Sequence, residues 1–123
     1  MTEQAIRNEI FALASDLPAT PVAAMRALRA RGKTAVLPII AALEADELGG
    51  IAVGRLLEVL ADLDPHAAVG QATRRLDDPR SNVVRDALRT LAAIGTPVAL
   101  ESLRATADGE NVDAAAYARI LLE

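Results

Sequence analysis

The chain has 123 residues, which is enough for one domain with a substantial hydrophobic core. Hydrophobic residues make up 52% of it and aromatic residues only 2%, so we expect a core of Ala, Leu, Val and Ile with few surfaces on which a base or ligand could stack. A net charge of -4 without a run of Lys or Arg argues against nucleic-acid binding, and the absence of Cys excludes disulfides and thiolate metal sites.

The apolar segments are too short for a membrane protein. The longest, from Ala35 to Leu43, contains Pro38 and is far below the roughly 20 residues that a membrane span requires. The amino-terminal residues MTEQAIRNEIF include acidic side chains and lack the basic-then-apolar pattern of a signal peptide. The sequence therefore predicts a soluble, cytoplasmic protein without membrane contact.

The first predicted element is an amphipathic helix from Thr2 to Ser15, which Asp16-Leu17-Pro18 brings to an end. Apolar spacing on this helix defines one stripe that should face the rest of the protein. The stripe consists of Ile6, Glu9, Ile10, Leu13 and Leu17. We interpret residues 1–18 as a capping helix at the amino end of a stack of repeats.

Three helical-pair repeats are predicted after this helix, over residues 19–47, 48–78 and 79–109, followed by a half repeat over residues 110–123. The second and third repeats superpose at an offset of about 31 residues, at which Leu60 falls on Leu91; the first and second superpose at about 32. No strand is predicted. The predicted helices are 2–15, 20–31, 34–46, 50–63, 65–76, 80–94, 97–107 and 111–122.

The third repeat has the clearest boundaries. Asp77-Asp78-Pro79 is a helix-start signal, because Asp can cap the free N–H groups of a first turn and Pro needs no N–H partner there. Gly95 ends this helix, and Thr96-Pro97 begins the next. The apolar stripes of the two helices contain Val84, Ala87, Leu88, Leu91 and Ile94, then Val98, Ala99, Leu100, Leu103 and Ala107.

The last helix is predicted to be self-associating. Its large apolar residues Val112, Tyr117 and Ile120 align with Val83, Leu88 and Leu91, so Tyr117, Ile120 and Leu121 should face inward. That register leaves one apolar side partly open, which in a terminal repeat predicts pairing with a second copy or with a further module of a longer chain. We favour a homodimer, and its candidate contact residues are Ala114, Ala118 and Leu122.

The predicted repeats resemble HEAT repeats, in particular the bacterial HEAT-like repeats that include the phycobilisome-lyase type. The resemblance rests on Asp78-Pro79, Val83, Ala87, Leu91, Ile94-Gly95 and Pro97. It implies an all-α fold, a right-handed α-α superhelix of about eight antiparallel helices. It also implies a scaffold that binds proteins on the concave face formed by the second helices of its repeats.

No pattern of catalytic, cofactor-binding or metal-binding residues is found. His66 is the only histidine and follows Asp64-Pro65, which is better explained as a helix start. The carboxylate clusters fall at repeat boundaries, where caps and solubilising charges are needed, and Gly49-Gly50 lacks the Lys of a phosphate loop. We therefore expect a protein that is not an enzyme and carries no cofactor.

The candidate partner-binding residues lie on the second helices of the repeats: Thr73, Arg74, Glu101 and Arg104. Their counterparts in the first repeat are small and apolar, around Pro38 and Ala41. That apolar surface is either a docking site for a protein or peptide partner, or is covered by the amino-terminal helix, which we favour.

Two other functions stay open. The resemblance also allows an accessory subunit or module of a modifying enzyme, similar to bilin lyases. A HEAT-like nucleic-acid-binding protein would need a continuous basic groove, and Arg74, Arg75 and Arg104 are few for this purpose, with Glu101 among them.

Overall fold

A computed structural model describes residues 2–123, and these residues form helices without any strand. The all-α prediction is therefore confirmed. The eight α-helices are α1 (Thr2–Ala12), α2 (Ala19–Arg31), α3 (Val36–Ala45), α4 (Gly50–Leu63), α5 (Pro65–Arg74), α6 (Ser81–Ile94), α7 (Pro97–Ala107) and α8 (Val112–Leu122). A short 3-10 turn at Gly32–Ala35 precedes α3, and another at Arg75–Asp77 follows α5. The predicted helix bounds differ most from the observed ones at these two turns and at the end of α1.

Side-chain caps explain where several helices begin. Asp64 Oδ1 accepts a hydrogen bond from Ala67 N at 3.1 Å, as expected for the start of α5. Thr96 Oγ1 accepts one from Ala99 N at the start of α7, and Asn111 Oδ1 accepts one from Ala114 N at the start of α8. Asp78 was predicted to cap the first turn of α6, but its Oδ1 accepts a hydrogen bond from Arg80 N at 2.8 Å in the turn before that helix.

The helices pack in two layers that follow chain order. In the first layer α2 packs on α4, α4 on α6, and α6 on α8. In the second layer α1 contacts α3 and α5 contacts α7, while α1 also packs along α2. Consecutive helices from α3 to α8 contact each other across the two layers, as expected for short connections.

One hydrophobic core runs between the layers. Leu28, Leu60 and Leu91, which the repeat superposition places at equivalent positions, are all 0% exposed. Two residues of the predicted stripes are exposed instead. Leu17 lies beyond the end of α1, so it is out of helical phase with Ile6 and Ile10. Val98 is rotated by about 100° from the buried line that begins at Ala99, so it points to the side of α7.

The predicted register of α8 was wrong for Ile120, whereas Tyr117 and Leu121, which were also predicted to face inward, are half-buried against the core. Ala114 and Ala118 are 6% and 0% exposed, whereas Val112 and Ile120 are 79% and 63% exposed. At the predicted repeat offset of about 31 residues, Ala114 falls on Val83 and Ala118 on Ala87, which are also buried. The reason is that α8 packs on both α6 and α7, and alanines fit that narrow space. Ala114 and Ala118 therefore cannot form an outer self-association surface, and Leu122 is half-buried against the same core.

Candidate functional site

An apolar groove lies between α1 and α3, with a volume of about 500 Å³. Its apolar lining comes from both helices and from the start of the following loop. The lining residues are Ile10 and Phe11 of α1, Pro38, Ala41, Ala42 and Ala45 of α3, and Leu48. Glu3, Arg7 and Glu47 line the same groove and carry its charges. The groove is thus an apolar floor with a mixed but mainly acidic rim.

The sequence explains why the groove stays open. Ile6, Ile10 and Leu13 turn towards the core, so the neighbouring Phe11 stands at the edge of α1 and is 67% exposed. The facing side of α3 is built from Pro38 and alanines, which are too short to reach α1 and fill the gap. Pro38 is tolerated because it lies in the first turn of α3, where N–H groups have no helical acceptor. The amino-terminal helix therefore covers this surface only in part.

The groove is the first part of a longer surface along the second layer. At the repeat offset, Pro38 and Ala41 of α3 are equivalent to Gly70 and Thr73 of α5. The same positions in α7 carry Glu101 and Arg104, which like Thr73 and Arg74 are exposed. The surface thus changes from apolar at α3 to polar at α5 and α7.

The four residues predicted to bind a partner do not converge on one cavity. Thr73 Oγ1 lies 3.4 Å from Ser102 Oγ of α7 and lines a polar depression of about 520 Å³ at the α7–α8 connection. Arg74 lines a different depression, where its Nη1 is 3.7 Å from Glu44 Oε1 in an exposed ion pair. Glu101 and Arg104 lie one turn apart on α7. Their role in binding stays a prediction.

An arginine cluster that the sequence did not reveal holds the second layer against α6. Arg80 Nη2 lies 2.6 Å from Asp46 Oδ2 and 2.9 Å from Asp78 Oδ2. The hydrogen bond from Arg80 keeps the pKa of Asp78 below its usual value, against the opposing effect of burial. Arg75 Nη2 donates to Leu43 O at 2.6 Å and so caps the carboxyl end of α3. The cluster fixes the end of α3, and with it one end of the groove.

Two further arginines bind helix ends in the same way. Arg55 Nη1 donates to Leu13 O at 2.6 Å, just past the end of α1, and Arg119 Nη2 donates to Ala107 O at 2.9 Å at the end of α7. Guanidinium groups suit the partial negative charge at helix carboxyl ends. The Arg55 contact anchors α1 to α4, which positions the groove wall that carries Phe11.

Within residues 2–123, no group of three His, Asp or Glu side chains is placed so that it could hold a metal ion. His66 is exposed in the first turn of α5. None of the helices in this part of the chain combines the length and the apolar character that a bilayer crossing requires.

Comparisons of the chain with protein-family models, curated proteins and solved structures found no match.

Proposed function

We propose that this chain is a non-catalytic, HEAT-like interaction module that binds an amphipathic segment of another protein on the face formed by α3, α5 and α7. The observation that carries the proposal is the apolar groove between α1 and α3, with Phe11 exposed at its edge. Exposed apolar surface in a concave site is typical of protein recognition, because covering it removes apolar area from water.

The repeat organisation supports the HEAT-like part of the proposal. Equivalent leucines recur in the core at offsets of about 31 or 32 residues, and the helices of the first layer contact their neighbours in chain order. In the proposal, the layers continue as a right-handed superhelix, residues 1–18 form a cap, and the second layer lines the concave side. A cytoplasmic location belongs to the same proposal.

The chemistry of the groove defines the partner segment. Its floor accepts apolar side chains, and its rim carries two carboxylates, Glu3 and Glu47, against one guanidinium, Arg7. A partner with apolar anchors flanked by Lys or Arg complements this arrangement. A short helix fits best, because α3 has 10 residues and a helix of that size is about 15 Å long.

The polar part of the face extends the contact in this proposal. Arg74 and Arg104 are exposed on α5 and α7, beyond the apolar groove. Rim charges of this kind mainly adjust association rate and specificity, whereas the apolar groove supplies most of the affinity. Thr73 and Glu101 offer hydrogen-bonding groups to the same partner.

Selection from a random-peptide display library tests the proposal. Peptides selected on the wild-type chain should carry apolar anchors at helical spacing with adjacent Lys or Arg. They should lose binding to Ala41→Glu, which places a charge on the groove floor, and keep binding to Ala30→Glu, a matched change on an exposed part of α2. Selected peptides that bind Ala41→Glu as well as wild type, or no enrichment at all, would refute the groove as the binding site.

A further inference from the structure

The two ends of the groove between α1 and α3 can be told apart. α1 ends beside the connection between α3 and α4, because Arg55 in the second turn of α4 donates to Leu13 O at 2.6 Å. Residues 14–16 after α1 and residues 48–50 of the connection also line one depression. The carboxyl ends of α1 and α3 therefore lie at the same end of the groove, and the first turns of α1 lie towards the other end.

The end near the first turns of α1 carries one charge of each sign. Glu3 and Arg7 both line the groove, and both side chains are exposed. They are four residues apart on α1, so they lie on the same side of that helix. Their opposite charges offset each other, and a charged residue of a partner gains little at this end.

The end at the connection between α3 and α4 carries Glu47, whose side chain is exposed. The carboxylates on either side of it are matched within the protein, because Glu44 pairs with Arg74 and Asp46 pairs with Arg80. Among residues 2–123, no Lys or Arg side chain forms an ion pair with Glu47. This end of the groove is therefore the one with an uncompensated negative charge in the described part of the chain.

The backbone that carries Glu47 is held in place by its neighbours. Asp46 has φ +50° and donates from its N–H group to Ala42 O at 3.0 Å, which closes the last turn of α3. Both carboxylate oxygens of Asp46 accept hydrogen bonds from Arg80, at 2.6 and 3.2 Å. Because this turn is already ordered, a contact with Glu47 costs little further ordering of the protein.

We propose that the bound partner helix lies antiparallel to α1 and α3, with a Lys or Arg that precedes its apolar anchors placed against Glu47. This inference rests on the proposed function, since it concerns the segment bound in the same groove. The basic residue belongs at the Glu47 end because the charges of Glu3 and Arg7 offset each other at the other end. The amino end of a helix carries a partial positive charge, so it also prefers the Glu47 end.

The peptides selected on the wild-type chain test the contact with Glu47. Their basic residues should precede the anchors, and Glu47→Gln should weaken binding about 2- to 5-fold, as expected for an exposed ion pair. The loss should disappear when the basic residue of the peptide is replaced by Gln. Glu3→Gln is the matched control at the other end of the groove and should have a smaller effect. Equal losses for the two variants, or a loss that persists with the neutral peptide, would overturn the proposal.

Spin-labelled peptides test the direction of the bound helix by nuclear magnetic resonance. A label at the amino end of the peptide should broaden the amide signals of Gly49 and Gly50, which lie at the Glu47 end. A label at the carboxyl end should instead broaden the signals of Glu3 and Gln4 in the first turn of α1. The reverse pattern would rule out the antiparallel direction.

The proposed function and the direction of the partner fail in different ways. Peptides that lose binding to Ala41→Glu but carry no basic residue before their anchors, or do not respond to Glu47→Gln, would overturn only the proposed direction. If no selected peptide depends on Ala41, the groove is not the binding site and both proposals are wrong.

Discussion

Gly54 of α4 lies so close to Asp86 of α6 that a Cβ atom at Gly54 would overlap the Asp86 carboxyl group. The contact brings two first-layer helices close together and shields the carboxyl group from water. Burial is the main cause that raises the pKa of Asp86; Glu58 adds to this, and the positive charge of Arg89 opposes it. Close helix packing and an unfavourable buried charge are therefore linked at one position.

Gly54→Ala is expected to destabilise the protein by about 1–3 kcal/mol, because the added methyl group displaces the Asp86 carboxyl group from its place between α4 and α6. The double variant Gly54→Ala with Asp86→Ala should recover much of the loss, since it removes the overlap. Gly70→Ala is the matched control: nothing lies within 4 Å of a Cβ at that helical position, so it should be stabilising by about 0.4–1 kcal/mol. Urea unfolding of the variants measures these differences, and equal effects of the two single changes would contradict the close contact.

Asp86→Asn should raise the melting temperature at pH 7. The folded protein holds the Asp86 carboxyl group at a raised pKa, so its ionised form opposes folding above that pKa, and the amide of similar shape avoids this cost. The advantage should shrink as the pH falls through the raised pKa towards the ordinary value of 3.8. Thermal melts from pH 7 to pH 3 measure it, and a lower melting temperature at pH 7 would contradict the prediction.

Asp78→Asn should have the opposite effect. The hydrogen bond with Arg80 lowers the pKa of Asp78, so the charged form contributes stability above the ordinary value of 3.8. That contribution is lost as the pH falls below 3.8 through the lowered pKa. We therefore expect the variant to melt below wild type at pH 7 and the difference to disappear in acid. A difference that stays constant down to acidic pH would show that the Arg80 contact does not depend on this charge.

Leu91→Ala should cost about 2–5 kcal/mol, because Leu91 is 0% exposed in the last turn of α6 and its removal leaves a cavity. Leu37→Ala offers a matched control on α3, where the side chain is 76% exposed, and should change stability by less than about 0.5 kcal/mol. Chemical denaturation gives the free energy of unfolding of each variant, and the comparison holds when its dependence on denaturant concentration has the same slope for both. Similar costs at the two positions would place Leu91 outside the core.

Local signals in the sequence were sufficient for most helix boundaries. Asp64-Pro65 and Thr96-Pro97 combine a capping side chain with Pro in the first turn, and both helices begin there. Gly95 has φ +67°, a conformation that glycine adopts easily, and it ends α6 as predicted. These features depend only on neighbouring residues, which is why they can be inferred without knowledge of the packing.

The errors came from features that depend on helix spacing. In α8 the large residue Ile120 was placed inward by analogy with Leu91, but the space beside α6 and α7 fits Ala114 and Ala118. The apolar surface around Pro38 and Ala41 was predicted, but the sequence could not show that α1 leaves it partly open, because the width of the groove is set by how far α1 stands from α3. Arg80 and Asp46 are 34 residues apart, and no local pattern connects them.

The polar half of the proposed binding face can be tested with a peptide selected on the wild-type chain. Acidic residues beyond the Lys- or Arg-flanked anchors of a selected peptide would lie opposite Arg74 and Arg104. Arg74→Glu with Arg104→Glu should therefore reduce the affinity of a peptide that carries such residues, while the melting temperature stays close to that of wild type, because both side chains are exposed on α5 and α7. The variant should also weaken the dependence of association rate on salt, since rim charges steer the encounter. Arg26→Glu with Lys33→Glu, two exposed reversals before α3, controls for the change in net charge, because it too replaces two positive charges by two negative ones. Fluorescence anisotropy titrations give the affinity, and stopped-flow anisotropy at two salt concentrations gives the association rate. An affinity equal to that of wild type would confine the contact to the groove between α1 and α3.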